Sequence, residues 1–294
     1  MTHPDAAAVR AFVDDLDVPG IFDVHAHFLP TSIQRKVWAV FDSAGPKIGR
    51  EWPIRYRDSH SARVQQLREF GVRRFSTLPY AHRPGVARWL NQWSAGFAAA
   101  VPEVLSSATF YPEEGAEDVV GDALSAGAVI FKIHVQVGEF HLDDPLLDGA
   151  WALLEQAGTP IVVHAGSGPV PNEFTGPRSL AAVLQRHPAL SVIVAHMGAP
   201  EYAEFLELAE SYEHVRLDTT MVFTDFFGEM AADYPADLKS RLGDLQHKVL
   251  FGSDFPTIPY PYVTGLQGLR SLGFGDDWVR DVVWHNGVRL FGSE

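Results

Sequence analysis

Short apolar runs recur eight times along the chain, and polar or amphipathic stretches separate most of them. Several runs consist almost entirely of valine, isoleucine, phenylalanine and alanine, a composition typical of strands buried on both faces of a parallel sheet. Each run therefore predicts one strand, and in chain order the runs are Ile21–Phe28, Val72–Tyr80, Val104–Tyr111, Ala128–Val135, Pro160–Gly166, Ser191–Gly198, Val215–Val222 and Lys248–Pro256.

The segments between these runs place their apolar residues at helical spacing. Proline near the start and glycine just past the end mark several of them as helices. The clearest predicted helices cover 61–70, 116–126, 144–158 and 200–209. Strands that alternate with helices predict an α/β protein with an eight-stranded parallel barrel, a (β/α)8 TIM barrel. We expect a single barrel domain over 21–294, preceded by an N-terminal extension over 1–20.

Two segments are longer than a minimal barrel unit needs. Residues 31–58 follow the first predicted strand and residues 220–235 follow the seventh, and both are rich in aromatic side chains. Long loops in compact domains are usually functional or disordered, and these are too aromatic for disorder. We expect both segments to form pocket walls or lids, with Trp38 and Phe223 as candidate contacts to a partly apolar substrate. The alternative is that the segments are packed loops or form an oligomer contact.

Charge and composition narrow the classes of partner and metal site. The chain of 294 residues has 23 basic and 37 acidic side chains, a net charge of −14, which argues against nucleic acid and anionic membranes as partners. It has no cysteine, so a metal would be held by histidine, carboxylate or a modified lysine. The first 20 residues are acidic without an apolar run, and no membrane-spanning stretch is present, so a cytoplasmic location is expected.

Polar side chains fall at the C-terminal ends of the predicted strands, which form the active-site face of such a barrel. His25 and His27 leave the same face of the first strand, because side chains alternate along a strand. A buried imidazole or carboxylate without compensation is costly, and a shared divalent cation would compensate several together. Three imidazoles and a carboxylate suit zinc, with manganese, iron or cobalt as alternatives. The remaining strand-end residues are Lys132, His134, His164, His196 and Asp254.

These motifs in combination resemble the amidohydrolase superfamily. The closer resemblance is to its amidohydrolase-related branch, which includes aminocarboxymuconate-semialdehyde decarboxylase. It extends from about residue 21 to the end of the chain. The segments that carry it are His25-x-His27, Phe131-Lys-Ile-His, Leu142-Asp-Asp-Pro, Val162-Val-His-Ala-Gly, Val194-Ala-His-Met-Gly, Leu250-Phe-Gly-Ser-Asp-Phe-Pro and Asn286-Gly-Val-Arg-Leu-Phe-Gly.

The resemblance implies a role for each strand-end residue. His25, His27, His164 and Asp254 match the metal ligands of the family, and Asp254 also matches its proton-transfer group. His196 matches a histidine that polarises substrate or moves a proton in members with one metal and is a ligand in members with two. We expect one divalent ion, zinc before manganese, and consider a binuclear site the less favoured alternative.

Four further residues are candidates with more than one interpretation. Lys132 could be a carbamylated metal bridge, as in some superfamily members, but a salt bridge or substrate contact is the favoured role. His134 lies on the same strand face and could be the strand-end residue instead. Arg83 and Arg178 are candidate anchors for a substrate carboxylate.

The function expected from these residues is metal-dependent hydrolysis of an amide, ester or lactone in a small molecule. In this reaction Asp254 takes a proton from the attacking water, and His196 helps to stabilise the oxyanion. Non-oxidative decarboxylation of an aromatic or muconate-type acid is the main alternative, because the same residues would serve it. A non-catalytic metal-binding barrel is the remote alternative. A homodimer is the expectation at the level of the family.

Overall fold

The structure is a computed structural model, and it describes residues 3–292. Within this range the chain forms nine strands and fifteen helices. The strands are β1 (Ile21–Asp23), β2 (Val72–Ser76), β3 (Val104–Leu105), β4 (Ser107–Thr109), β5 (Ile130–His134), β6 (Ile161–His164), β7 (Val192–Val194), β8 (Val215–Asp218) and β9 (Val249–Leu250).

Helices follow most of the strands. They are α1 (Ala6–Leu16), α2 (Thr31–Asp42), α3 (Gly45–Ile48), α4 (His60–Phe70), α5 (Ala87–Ala100), α6 (Ala116–Ser125), α7 (Val135–Gly138), α8 (Asp148–Ala157), α9 (Pro177–Arg186), α10 (Tyr202–Ser211), α11 (Asp225–Met230), α12 (Lys239–Asp244), α13 (Val263–Ser271), α14 (Asp276–Arg280) and α15 (Asn286–Phe291). Short 3-10 turns and one π-helical turn, Asp281–His285, complete the regular structure.

Local sequence explains where helices such as α4 begin and end. The Ser59 hydroxyl accepts a hydrogen bond from the backbone N–H of Ala62, so it caps the N-terminus. Gly71 follows the last turn with a φ of +85°, a left-handed conformation that glycine adopts without a steric penalty. Helix α4 therefore ends where β2 can begin at Val72.

The chain divides into two compact units, and the first comprises residues 1–75 and 219–294. In this unit β1 and β2 are parallel, with Ile21 paired to Val72. Helix α1 packs against α4, α13 and α14. The side chains of Phe22, Phe28, Phe70 and Tyr262 are buried in its core.

The second unit comprises residues 76–218 and contains a parallel sheet with the strand order β4-β5-β6-β7-β8. Its strands are buried, as their nearly continuous apolar runs predict. Phe110 and Trp151 meet edge to face in its core, with ring centroids 5.3 Å apart. This sheet places the ends of β5, β6 and β7 side by side.

The predicted strands all appear, but they are shorter than the apolar runs. The third run contains two strands, β3 and β4, instead of one. The long segments after the first and seventh runs are not simple loops, because 31–58 contains α2 and α3 and 220–235 contains α11. The N-terminal extension also has structure, since α1 lies within it. Among the described residues, no helix has both the length and the apolar character needed to cross a membrane.

Candidate metal centre

His25, His27 and Asp254 come together in the first unit. One donor atom from each side chain lies within 4.8 Å of the other two, and all three residues are buried. His27 Nε2 is 3.1 Å from Asp254 Oδ1, and His25 Nε2 is 4.0 Å from the same oxygen. The two imidazole rings have centroids 5.1 Å apart. Two imidazole nitrogens and a carboxylate oxygen thus face a common point.

Backbone hydrogen bonds bring these residues together just beyond the regular strands. Asp254 N donates to His25 O at 2.8 Å, and His27 N donates to Phe255 O at 2.7 Å. The chain after β1 thereby runs alongside the chain after β9. The regular strand ends at Asp23, but the donor atoms of His25 and His27 still face the same cluster, as side chains two residues apart on a strand would.

Asp254 lies on a turn with an uncommon backbone conformation. Its φ is +67°, in the left-handed region that non-glycine residues rarely adopt. The backbone N–H and the hydroxyl of Thr257 both donate to Asp254 O, at 2.9 and 2.8 Å. These bonds hold the turn that aims the carboxylate at the histidines.

The fully buried carboxylate of Asp23 accepts hydrogen bonds from both segments, through the backbone N–H groups of His25 and Ser253. Burial raises the pKa of Asp23 to about 7, although hydrogen bonds from Ser253, Tyr262 and the His25 backbone act in the opposite direction. Asp23 is not among the site residues that the sequence pattern predicts. The available signal was a lone carboxylate two positions before His25, on the same face of an otherwise apolar strand.

The second unit holds a cluster of three histidines. His134 on β5 pairs in register with His164 on β6, and their rings stack with centroids 3.9 Å apart at an interplanar angle of 13°. His196, after β7, has its ring centroid 4.7 Å from that of His164. Lys132 is fully buried on β5, two residues before His134. The predicted strand-end residues of this unit are therefore neighbours.

His196 also has a left-handed backbone, with a φ of +52°. Its N–H donates to Asp218 Oδ1 at 2.9 Å, and Asp218 is fully buried at the end of β8. The following residues, Met197 and Gly198, also have positive φ values. Strained backbone of this kind is common where a side chain must be aimed, as at active sites. Asp218 is likewise absent from the site residues that the sequence pattern predicts.

The candidate substrate contacts occupy varied environments. Arg83 and Arg178 are exposed. Phe223 is half-buried, with its ring 5.5 Å from that of Tyr234. Trp38 is half-buried, and the guanidinium groups of Arg57 and Arg63 each lie 5.7 Å from its ring centroid. A substrate role for these four residues stays a prediction.

The two long aromatic segments of the first unit contact each other. The Trp52 ring packs against Phe41 at 4.8 Å and against Phe226 at 5.0 Å between centroids. Trp52 Nε1 donates to Thr257 O at 2.6 Å, which joins this wall to the Asp254 turn. Residues 31–58 and 220–235 therefore pack against each other, and Trp52 connects them to the turn that carries Asp254.

Comparison with solved structures identifies the fold. A TIM-barrel protein from Bordetella bronchiseptica is similar with a TM-score of 0.73 at 19% identity, over 92% of this chain and 98% of that chain. A probable 2-pyrone-4,6-dicarboxylic acid hydrolase from Acinetobacter baumannii, solved with citric acid bound, has a TM-score of 0.61 at 17% identity over 93% and 100%. The predicted TIM-barrel fold is therefore confirmed.

A dihydroorotase from Campylobacter jejuni is also similar, with a TM-score of 0.59 at 14% identity over 94% of this chain and 84% of that chain. A search of curated protein sequences finds no significant match. The sequence profile of the amidohydrolase family matches residues 22–293, nearly the whole chain. The chain therefore belongs to the amidohydrolase family.

Proposed function

We propose that this protein is a metal-dependent hydrolase that acts on a carbonyl group of a small molecule. The observation that carries the proposal is the convergence of His25, His27 and Asp254, with donor atoms within 4.8 Å of one another in a buried position. Family membership supports an enzyme of this general kind.

The donor set fits a divalent metal ion. Two imidazoles and one carboxylate are ligands that zinc accepts in catalytic sites, and manganese accepts them as well. Burial of three titratable side chains at one point would be costly without a compensating cation. We propose one ion, zinc before manganese, held by these three residues. The resemblance adds His164 as a further ligand, and that role stays a prediction.

When bound, a divalent ion supplies a Lewis acid that lowers the pKa of water toward about 7. Asp254 is the proposed proton acceptor, because its carboxylate faces the donor cluster and its turn is fixed by Thr257. The carboxylate would take a proton from the attacking water and return it to the leaving group. His196 is proposed, from the resemblance, to donate a hydrogen bond to the developing oxyanion.

The proposed substrate class is lactones first, then esters and amides. The structural neighbour described as a 2-pyrone-4,6-dicarboxylic acid hydrolase supports this order, since a 2-pyrone is a cyclic ester. The rival reaction, non-oxidative decarboxylation, is supported by the resemblance of the motif Leu250-Phe-Gly-Ser-Asp-Phe-Pro to the decarboxylase-containing branch. The same ligands would serve either reaction.

A substrate screen with a matched pair of variants tests the proposal. Lactones, esters, amides and aromatic carboxylic acids are incubated with protein that has been reconstituted with zinc or manganese, and product acid and carbon dioxide are measured separately. Asp254→Asn should lower kcat by about 10²- to 10⁴-fold, because it removes the proposed proton acceptor. Asp244→Asn, an identical change at an exposed position of α12, should leave kcat unchanged.

Carbon dioxide release without hydrolysis would replace the proposed reaction with decarboxylation. Full activity in Asp254→Asn would remove this residue from the mechanism.

A further inference from the structure

The Asp23 carboxylate accepts four hydrogen bonds in the core of the first unit. One oxygen accepts from the backbone N–H groups of His25 at 3.2 Å and Ser253 at 3.1 Å. The other oxygen accepts from the Ser253 hydroxyl at 2.5 Å and the Tyr262 hydroxyl at 2.8 Å. Two backbone and two side-chain donors therefore converge on one buried group.

The backbone donors belong to the two segments that carry the candidate ligands. His25 is itself one of these ligands, and Ser253 directly precedes Asp254. The Ser253 hydroxyl also accepts from the N–H of Phe255 at 2.9 Å. Asp23 thus connects both sides of the candidate metal centre through a single carboxylate.

This connection lies where regular strand structure has ended. Strand β1 ends at Asp23 and β9 ends at Leu250, so His25, His27 and Asp254 all lie beyond the strands. Asp254 has a left-handed backbone in addition. Side-chain hydrogen bonds must therefore supply part of the order that a continuous sheet would otherwise give.

Tyr262 is itself held in place, so its hydroxyl is a fixed donor. Its backbone N–H donates to the Tyr56 hydroxyl at 2.8 Å, and that hydroxyl donates to Asp5 Oδ2 at 2.6 Å. The Tyr262 ring packs against Phe70 with centroids 5.3 Å apart. The network extends from Asp5 in the N-terminal segment to Asp23 at the end of β1, two residues before the first candidate ligand.

We propose that Asp23 is a positioning residue that sets the relative placement of His25, His27 and Asp254 for metal binding. The inference rests on the proposed metal-dependent function. Asp23 acts through the backbone of His25 and through Ser253, and it is not a proposed ligand. Supporting partners of metal ligands typically contribute about 10- to 100-fold to metal affinity.

Metal binding by Asp23→Asn tests the proposal. The full chain is stripped of metal and titrated with Zn²⁺ and with Co²⁺, whose visible absorption reports ligand geometry. Asparagine has nearly the same shape but replaces one acceptor oxygen with an amide donor, so affinity should fall by about 10- to 100-fold and the Co²⁺ spectrum should change. Tyr262→Phe removes one donor and should weaken binding by about three- to tenfold.

Ser94→Ala is the matched control, because it removes a buried hydroxyl that is hydrogen-bonded to Thr77 Oγ1 at 2.8 Å and is not part of the Asp23 network. It should lower the thermal unfolding temperature while leaving Zn²⁺ affinity and the Co²⁺ spectrum as in the wild type. A purely structural role for Asp23 would make Asp23→Asn behave like this control.

The outcomes separate the two proposals. If the wild type binds metal and Asp23→Asn binds it equally well with an unchanged Co²⁺ spectrum, the positioning role is overturned. If Asp23→Asn does not fold, unchanged affinity in Tyr262→Phe overturns it. If the wild type binds neither ion, the proposed function itself fails, and the positioning role fails with it.

Discussion

Asp254 is buried, has an unfavourable backbone conformation and faces the imidazoles of His25 and His27. Its exposed fraction is 8%, and its positive φ costs on the order of 1–3 kcal/mol for a non-glycine residue. The two hydrogen bonds from Thr257 to its carbonyl help to keep this conformation. The surrounding structure therefore holds a buried carboxylate beside two imidazoles in spite of this unfavourable backbone conformation.

Gly252 is required by close packing next to the candidate ligands. A Cβ atom at this position would lie 2.1 Å from Thr220 Oγ1 and 2.7 Å from His25 Cβ. Gly252→Ala should therefore destabilise the protein by about 1–3 kcal/mol in urea unfolding, and it should weaken metal binding by displacing His25.

Gly265→Ala is the control for this substitution. Gly265 lies within α13, where the nearest atom to an added Cβ is 3.9 Å away, so alanine should be neutral or stabilising. Equal stability of the two variants would contradict the packing at Gly252.

The sequence predicted the candidate ligands, but it did not predict the buried aspartates that hydrogen-bond to the segments around the predicted site residues. His25 and His27 follow from alternation along one strand, and Asp254 follows from its place at the end of another. The structure places the three together, while their role as ligands stays a prediction. Asp23 and Asp218 were not predicted, because each contacts the candidate site through hydrogen bonds to residues distant in sequence, and the period of a strand or helix does not indicate such bonds.

At the scale of elements, strand order was predictable and strand ends were not. Apolar runs predict where the chain enters the sheet, but backbone pairing decides where a strand stops. Strand β1 has only three residues, although its apolar run has eight. The helices α2 and α3 differ from the prediction for 31–58, because the aromatic residues of this segment indicated a loop that lines a pocket.

Asp5, which directly precedes helix α1, joins this helix to the segment 55–56. The Asp5 carboxylate accepts two hydrogen bonds from Arg55, both at 2.7 Å, and one from the Tyr56 hydroxyl. Burial alone would raise the pKa of Asp5, but the hydrogen bonds and the charge of Arg55 outweigh burial and lower it. The charged form is therefore favoured in the folded state.

This lowered pKa predicts a pH-dependent contribution to stability. The contribution is present above the ordinary pKa of 3.8 and is lost as the pH falls through the lower folded-state value. Asp5→Asn should be less stable than the wild type by about 1–3 kcal/mol at neutral pH. Urea unfolding measured from pH 6 downward, in steps of about one unit, should show this difference shrinking in acid.

Asp14→Asn is the control, because Asp14 is exposed on the same helix. It should follow the wild-type profile. A difference between Asp5→Asn and the wild type that stays constant across the acid range would contradict the lowered pKa.

At the scale of the whole molecule, family and fold were accessible from sequence, and the substrate was not. The barrel follows from a repeated local pattern, and the family profile covers residues 22–293. Substrate choice depends instead on the side chains of irregular segments, whose conformations have no simple period. The candidate ligands likewise do not distinguish hydrolysis from decarboxylation, because the same proposed set would serve either reaction.

The most direct test of the proposed function is the metal content of the purified protein, measured by elemental analysis. The wild type should contain about one zinc or manganese per chain, and the double variant His25→Ala, His27→Ala should lose it. The matched control is His247→Ala, His285→Ala, which changes two exposed histidines of the same unit and should retain the metal. A wild type that holds no metal even after reconstitution, or a His25, His27 variant that keeps it, would contradict the proposed site.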